Sequence, residues 1–125
     1  MAQRLTTFRI GSPRKKGEGL RIGTVRLLPR GVPKREYARR DFFDVWMPLV
    51  APSRELLKTY SSGKKSTQEF FRAYRTEMKD PAARHTIELL AALAQKTPLA
   101  IGCYCEDESR CHRWVLIKLI RAAAK

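Results

Sequence analysis

The feature that most constrains this chain is a junction near its C-terminus. The stretch "TPLAIGC" (97–103) is short and continuously apolar, the pattern of a strand buried on both faces. "RWVLIKLIRAAA" (113–124) is apolar nearly all round at its start, the pattern of a helix packed from more than one side. Between them lies "GCYCEDESRCHRW" (102–114), which holds all three cysteines of the chain. A buried strand running into a buried helix implies layered α/β architecture. It also puts Cys103 and Cys105 at the strand's end and Cys111-His112-Arg113 at the helix's start. In open α/β sheets, ligands bind outside the carboxyl ends of strands, where helix N-termini present unpaired N–H groups.

The rest of the chain fits that frame. With 125 residues, 43% of them hydrophobic, it is expected to form one α/β domain over 1–125, a short and largely parallel sheet with helices packed on it. "RLTTFRI" (4–10) and "LRIGTVRLL" (20–28) read as strands, separated by "SPRKKGEG" (12–19), an exposed and mobile basic loop. In 35–53 the aromatics Phe42, Phe43 and Trp46 need burial, while Pro48 and Pro52 limit regular structure. Ser53 caps a short helix through Tyr60. Ser66-Thr67-Gln68-Glu69 is a capping box opening a helix with Phe71, Tyr74 and Met78 on its apolar face. Asp80-Pro81 starts another, with Ala83, Ile87, Leu90 and Ala94 facing inward.

Charge narrows the partners. The net charge is +14, and residues 1–40 carry twelve Lys/Arg against Glu18 and Glu36. Such a field attracts anionic small molecules or nucleic acid, with strong salt dependence. No apolar run approaches the roughly 18 residues of a membrane span, and the N-terminus lacks the apolar core of a signal peptide. An odd number of cysteines argues against a disulfide framework. A cytoplasmic protein without membrane contact is the expectation.

Four readings of the Cys/His cluster are open. Cys103, Cys105, Cys111 and His112 are all acceptable zinc ligands, but Cys-x-Cys followed by adjacent Cys-His is poor spacing for one ion; no metal and no cofactor is expected. Cys111 or Cys105 can act as a thiol nucleophile. Cys105 to Arg110 has the Cys-x4-Arg span of a rhodanese-like anion loop, without its glycine and with Glu106, Asp107 and Glu108 inside it. In a non-covalent reading His112 or Arg113 orients or protonates a substrate held at the helix N-terminus. In the fourth, Cys103 packs in the core, His112 bonds a neighbouring backbone group, and the cluster is structural.

The segments "VRLLPRGVPKREY", "FDVWMPLVAPSRELLK", "FFRAYRTEMKDP" and "IGCYCEDESRCHRWVL" are similar in order and spacing to those of the YeaO-like proteins, bacterial domain-of-unknown-function family 488. The resemblance covers roughly residues 20–120 and implies a small α/β domain bearing a Cys-His-Arg signature, here Cys111-His112-Arg113. Where many relatives read Asp-Arg-Leu-Trp-Pro-Arg-Gly, this chain has Val25-Arg26-Leu27-Leu28-Pro29-Arg30-Gly31, without the acid. If strands 20–28 and 97–103 lie side by side and parallel, Arg26 and Arg30 come near Cys111, His112 and Arg113. Arginine is suited to bidentate recognition of phosphate. Ser53, opening a helix, adds a further anion-facing terminus, and Cys105 lines the same edge. The resulting expectation is a site that binds, and in one version transforms, a phosphate-bearing or nucleotide-like ligand. The alternative is a basic nucleic-acid-binding module without catalysis.

Overall fold

The computed structural model describes residues 5–105 and 107–124, with Glu108 described through its backbone alone. Four strands form one sheet: β1 (Leu5–Arg9), β2 (Leu20–Gly23), β3 (Val45–Trp46) and β4 (Leu99–Cys103). Their order is β1-β4-β2-β3 and every pairing is parallel. The continuously apolar β4 therefore sits inside the sheet, and all five of its residues are buried. Parallel strands need crossovers, and helices α1 (Arg54–Ser61), α2 (Thr67–Glu77) and α3 (Pro81–Ala94) lie between β3 and β4, with α4 (His112–Ala123) following β4. Among the described residues no helix is long and apolar enough to cross a membrane.

The helix starts follow the local chemistry of their sequences. Ser53 Oγ accepts the Leu56 N–H at α1. Ser66 and Glu69 exchange both bonds of the capping box at α2, and Asp80 accepts the Ala82 N–H ahead of Pro81 at α3. Such caps contribute about 1 kcal/mol each. On α2 the buried positions are Phe70, Tyr74 and Met78, a row of i, i+4 and i+8. Phe71, expected on that face, is only partly buried, because the stripe turns toward Tyr60, whose ring stacks on Phe70 at 4.2 Å.

The sheet's two faces are covered differently. Leu5, Ile22, Leu99 and Ile101 face the helices and pack with Val50, Tyr74, Leu90, Leu116 and Ile120. The opposite face carries no α-helix core. It is closed by Phe8, Val25, Tyr37, Phe43 and the aromatic stretch 35–46 that resisted assignment from sequence. That layer is irregular because its side chains lie flat on the sheet. Gly23 and Gly102 are register partners in adjacent strands, and a Cβ at either would collide with the Phe43 or Phe8 ring respectively.

β2 is shorter than the expected 20–28. It leaves the sheet after Gly23, where the Thr24 N–H and Oγ both donate to the Gly102 carbonyl. Residues 12–19 are mostly exposed, and two of them tie the segment down. Arg14 makes a bidentate pair with Asp44 at 2.7 and 3.0 Å, and the buried Glu18 pairs with Arg21 at 3.0 Å. Arg21 is 0% exposed, lies 4.1 Å from the centre of the Phe8 ring, and also donates to the carbonyls of Asp41 and Pro13.

The glycine pair makes a testable demand. Gly102→Ala should lower stability by about 1–3 kcal/mol, the usual cost of overpacking a filled interior. It would be read as a reduced urea midpoint with an unchanged slope. A neutral result would show that the Phe8 ring can move aside.

Candidate functional site

Because all four strands are parallel, their carboxyl ends share one edge, with Arg9 level with Cys103 and Gly23 beside Gly102. The chain leaves that edge through Tyr104 and Cys105 and returns to it at Cys111, the extended residue that precedes α4. β2 and β4 do lie side by side and parallel, which brings the Thr24 turn against the start of α4.

His112 is the hinge of this arrangement. It is 3% exposed, and its Nε2 lies 2.8 Å from the Thr24 carbonyl and 3.0 Å from Thr24 Oγ1. A carbonyl can only accept, so Nε2 carries the proton and donates to Thr24. Nδ1 is then the unprotonated nitrogen, and it sits 3.6 Å from Cys111 Sγ. The Tyr74 ring packs edge-on against the imidazole at 5.4 Å between centres. Burial pushes the imidazole pKa down to about 4, against the smaller upward pull of the Thr24 bond. At neutral pH His112 is uncharged.

The sulfurs gather around it. Cys103 Sγ lies 3.8 Å from Cys105 Sγ, and the ligand atoms of Cys103, Cys111 and His112 all fall within 4.8 Å of one another. Cys103 and Cys111 are buried, while Cys105 is exposed. Hydrogen bonds from the Cys103 and Cys111 thiols draw the Cys105 pKa far below the ordinary thiol value, and the Arg113 charge adds to this. Donating to Cys105 pushes the Cys103 thiol up, with burial reinforcing it. One thiolate, carried by the accessible Cys105 and flanked by two thiols, is the arrangement this favours.

Arg113 lies directly behind. It is 2% exposed, and its guanidinium donates to the carbonyls of Phe8 and, at 2.8 Å, Cys105. Its Nε is buried with no partner among the described residues. Arg113 thus clamps the β1 end to the loop after β4 and leaves a positive charge beneath Cys105.

Of the remaining expected site residues, Arg26 donates to the carbonyls of Ala51 at 3.0 Å and Pro52 at 3.2 Å. Arg30 is exposed, on the loop that follows. Ser53 spends its Oγ as the α1 cap and donates its N–H to Glu77 at 2.9 Å. Arg26, Ser53, Glu77 and Asp80 line a separate cavity of about 390 Å³, where the two acids oppose an anion. Within the basic residues 1–40, Arg4 lies outside the described residues and Arg14 is paired with Asp44. Of the three acids in the loop, Glu106 and the Glu108 side chain lie outside the described residues, and Asp107 accepts from Ser109. Thr24 carries no signal in the sequence beyond being a polar residue inside the expected strand 20–28. The sequence expectation leaves Cys103 out of the site, although the Cys-x-Cys spacing carries it to the strand's end.

A family model described as the active DUF488-N3 subclade matches residues 5–124. The chain is 30% identical over 116 residues to the uncharacterized protein YeaO of Escherichia coli strain K12, covering 91% of this chain and 94% of that protein. No solved structure matches the chain.

The buried neutral imidazole has a consequence for stability. The folded pKa of about 4 lies below the ordinary 6.5, so the unfolded chain takes up the proton first as pH falls. The contribution is complete above pH 6.5 and is lost between 6.5 and 4, by on the order of 3 kcal/mol. Urea unfolding in a chelating buffer should show this slope as the difference between the native chain and His112→Gln. No difference across that window would mean that His112 titrates as a solvated imidazole.

Proposed function

The chain belongs to the DUF488 family, in the branch described as its active N3 subclade, and from that premise we propose that the shared strand edge is a cysteine-dependent site for an anionic, phosphate-bearing or nucleotide-like substrate. Cys105 is its attacking group. One observation carries the reading: of three sulfurs converging at the edge, Cys105 alone opens to solvent, and a buried arginine lies behind it.

The chemistry follows from the surroundings. Cys105 forms a bond from sulfur to the electrophilic atom of the substrate, and the leaving group departs with the electron pair of the broken bond. The Arg113 charge and the N-terminus of α4 favour negative charge developing there. His112 does not serve as an acid, because Nε2–H is held by Thr24 and Nδ1 faces the sulfurs. It positions the start of α4 instead. A leaving group that receives no proton from His112 is best a stable anion, such as the departing half of a phosphoanhydride, rather than an alkoxide.

The binding part of this reading differs from the sequence expectation. Arg113 and the α4 N-terminus take the place of Arg26, which donates to the Ala51 and Pro52 carbonyls, and of Arg30, which is exposed.

Alkylation with iodoacetamide followed by peptide mapping tests the assignment. Cys105 should react at least about tenfold faster than Cys103 and Cys111, as exposed thiolates do relative to buried thiols. Inorganic phosphate or a nucleoside diphosphate should slow the reaction, and Arg113→Lys should weaken that protection. Equal labelling of all three cysteines in the folded chain, or labelling of Cys105 indifferent to every anion, would sink the reading.

A further inference from the structure

We propose that Cys103, Cys105, Cys111 and His112 also form a binding site for one soft divalent cation, with Zn²⁺ as the reference ion. Spacing alone disfavours a metal, because side chains adjacent in sequence seldom converge on one ion. The fold removes that objection. Cys111 is the extended residue before α4 and His112 the first helical one, so the backbone changes direction between them and their side chains turn to the same point.

Two of the distances match edges of a coordination polyhedron. Tetrahedral zinc with Zn–S near 2.3 Å and Zn–N near 2.0–2.1 Å has S···S edges of about 3.8 Å and S···N edges of about 3.6 Å. The structure has 3.8 Å between the sulfurs of Cys103 and Cys105, and 3.6 Å between Cys111 Sγ and His112 Nδ1. The ligand atoms of Cys103, Cys111 and His112 all lie within 4.8 Å of one another; Cys105 Sγ, 3.8 Å from Cys103 but outside that group, swings inward to complete the set.

The surroundings fit as well. Metal-bound histidines generally donate their other nitrogen to a carbonyl or carboxylate, which fixes the tautomer and the ring plane. His112 does this through Nε2 to Thr24, leaving Nδ1 with its lone pair toward the sulfurs. Three sulfurs and an imidazole select a soft or borderline ion over Mg²⁺ or Ca²⁺. Three thiolates and one divalent ion leave a single negative charge on the complex, and the buried Arg113 guanidinium lies where it offsets that charge. Each ligating thiol gives up its proton to solvent as the metal enters. Cys105, the exposed member, is the route in.

The site uses the same sulfurs as the proposed chemistry, so metal and nucleophilic attack exclude each other. A bound ion holds Cys105 in an unreactive form that a chelator releases. The metal site does not depend on Cys105 being a nucleophile, so the two ideas fail separately.

Titration of the metal-free full chain with Co²⁺ tests the proposal. One equivalent should bind, with the near-ultraviolet thiolate-to-cobalt band and the visible bands of tetrahedral cobalt, and one equivalent of Zn²⁺ should displace it. Cys105→Ser keeps the three buried ligands and should bind at least about tenfold more weakly. His112→Gln keeps an N–H for Thr24 but has no Nδ1, and it should lose the tetrahedral spectrum. Cys103→Ala with Cys111→Ala should abolish binding, with circular dichroism confirming the fold. Folded native chain without the thiolate band would overturn the proposal, as would one retained equivalent in the folded double variant. Should that double variant be unfolded, a tetrahedral spectrum persisting in folded His112→Gln would also overturn it. Metal binding with uniform cysteine alkylation in the chelated protein would refute the nucleophile alone.

Discussion

Two glycines side by side in adjacent parallel strands, Gly23 and Gly102, set the terms for everything at the sheet's carboxyl edge. With no side chains there, the Phe8 and Phe43 rings lie flat on the sheet and close a face that no α-helix covers. The Gly102 carbonyl takes two bonds from Thr24, one from its N–H that extends the β2–β4 ladder and one from its Oγ. Thr24 in turn holds Nε2 of His112, and so seats the start of α4. The imidazole tautomer, and with it the face that Nδ1 shows to the sulfurs, is the last link in a chain of contacts that begins with two absent side chains.

The strongly basic composition is only partly a surface property. Arg21 and Arg113 are both almost wholly buried, and each is held mainly by backbone carbonyls rather than by a dense set of acids. Burying a guanidinium costs several kcal/mol unless its donors are met. Arg21 meets that demand with Glu18, two carbonyls and the Phe8 ring. Arg113 leaves Nε without a partner, a defect that a structural role alone does not require. In the proposed site, its place behind Cys105 puts that positive charge beside the attacking sulfur.

The cluster of Cys103, Cys105, Cys111 and His112 brings together two chemistries that differ only in what occupies it. Protons on Cys103 and Cys111 leave Cys105 as a thiolate stabilised by donors; a metal in their place makes all three sulfurs ligands. The ligand set depends on a neutral His112, which burial secures. The same residues thus serve both the proposed nucleophile and the proposed ligand set. The neutral imidazole acts by position rather than by moving protons.

What the sequence by itself determined was whatever depends on neighbours a few residues apart. The Ser66–Glu69 capping box, Asp80-Pro81, the Ser53 cap and the apolar run 97–103 all lie where their local patterns put them, since caps and helical periods are made by bonds spanning two to four positions. The α/β class and the strand-to-helix setting of Cys111-His112-Arg113 followed from the same short-range logic. Only the tertiary structure decided that stretch 35–46 would be an aromatic layer, that Phe70 would bury ahead of Phe71, and that Arg26 would cap the carbonyls of Ala51 and Pro52. It also decided that His112 would meet Thr24, 88 positions away in the chain. Such directions come from strand register and from which rings fill which gaps, and a side chain's partner across the sheet leaves no trace in the residues beside it.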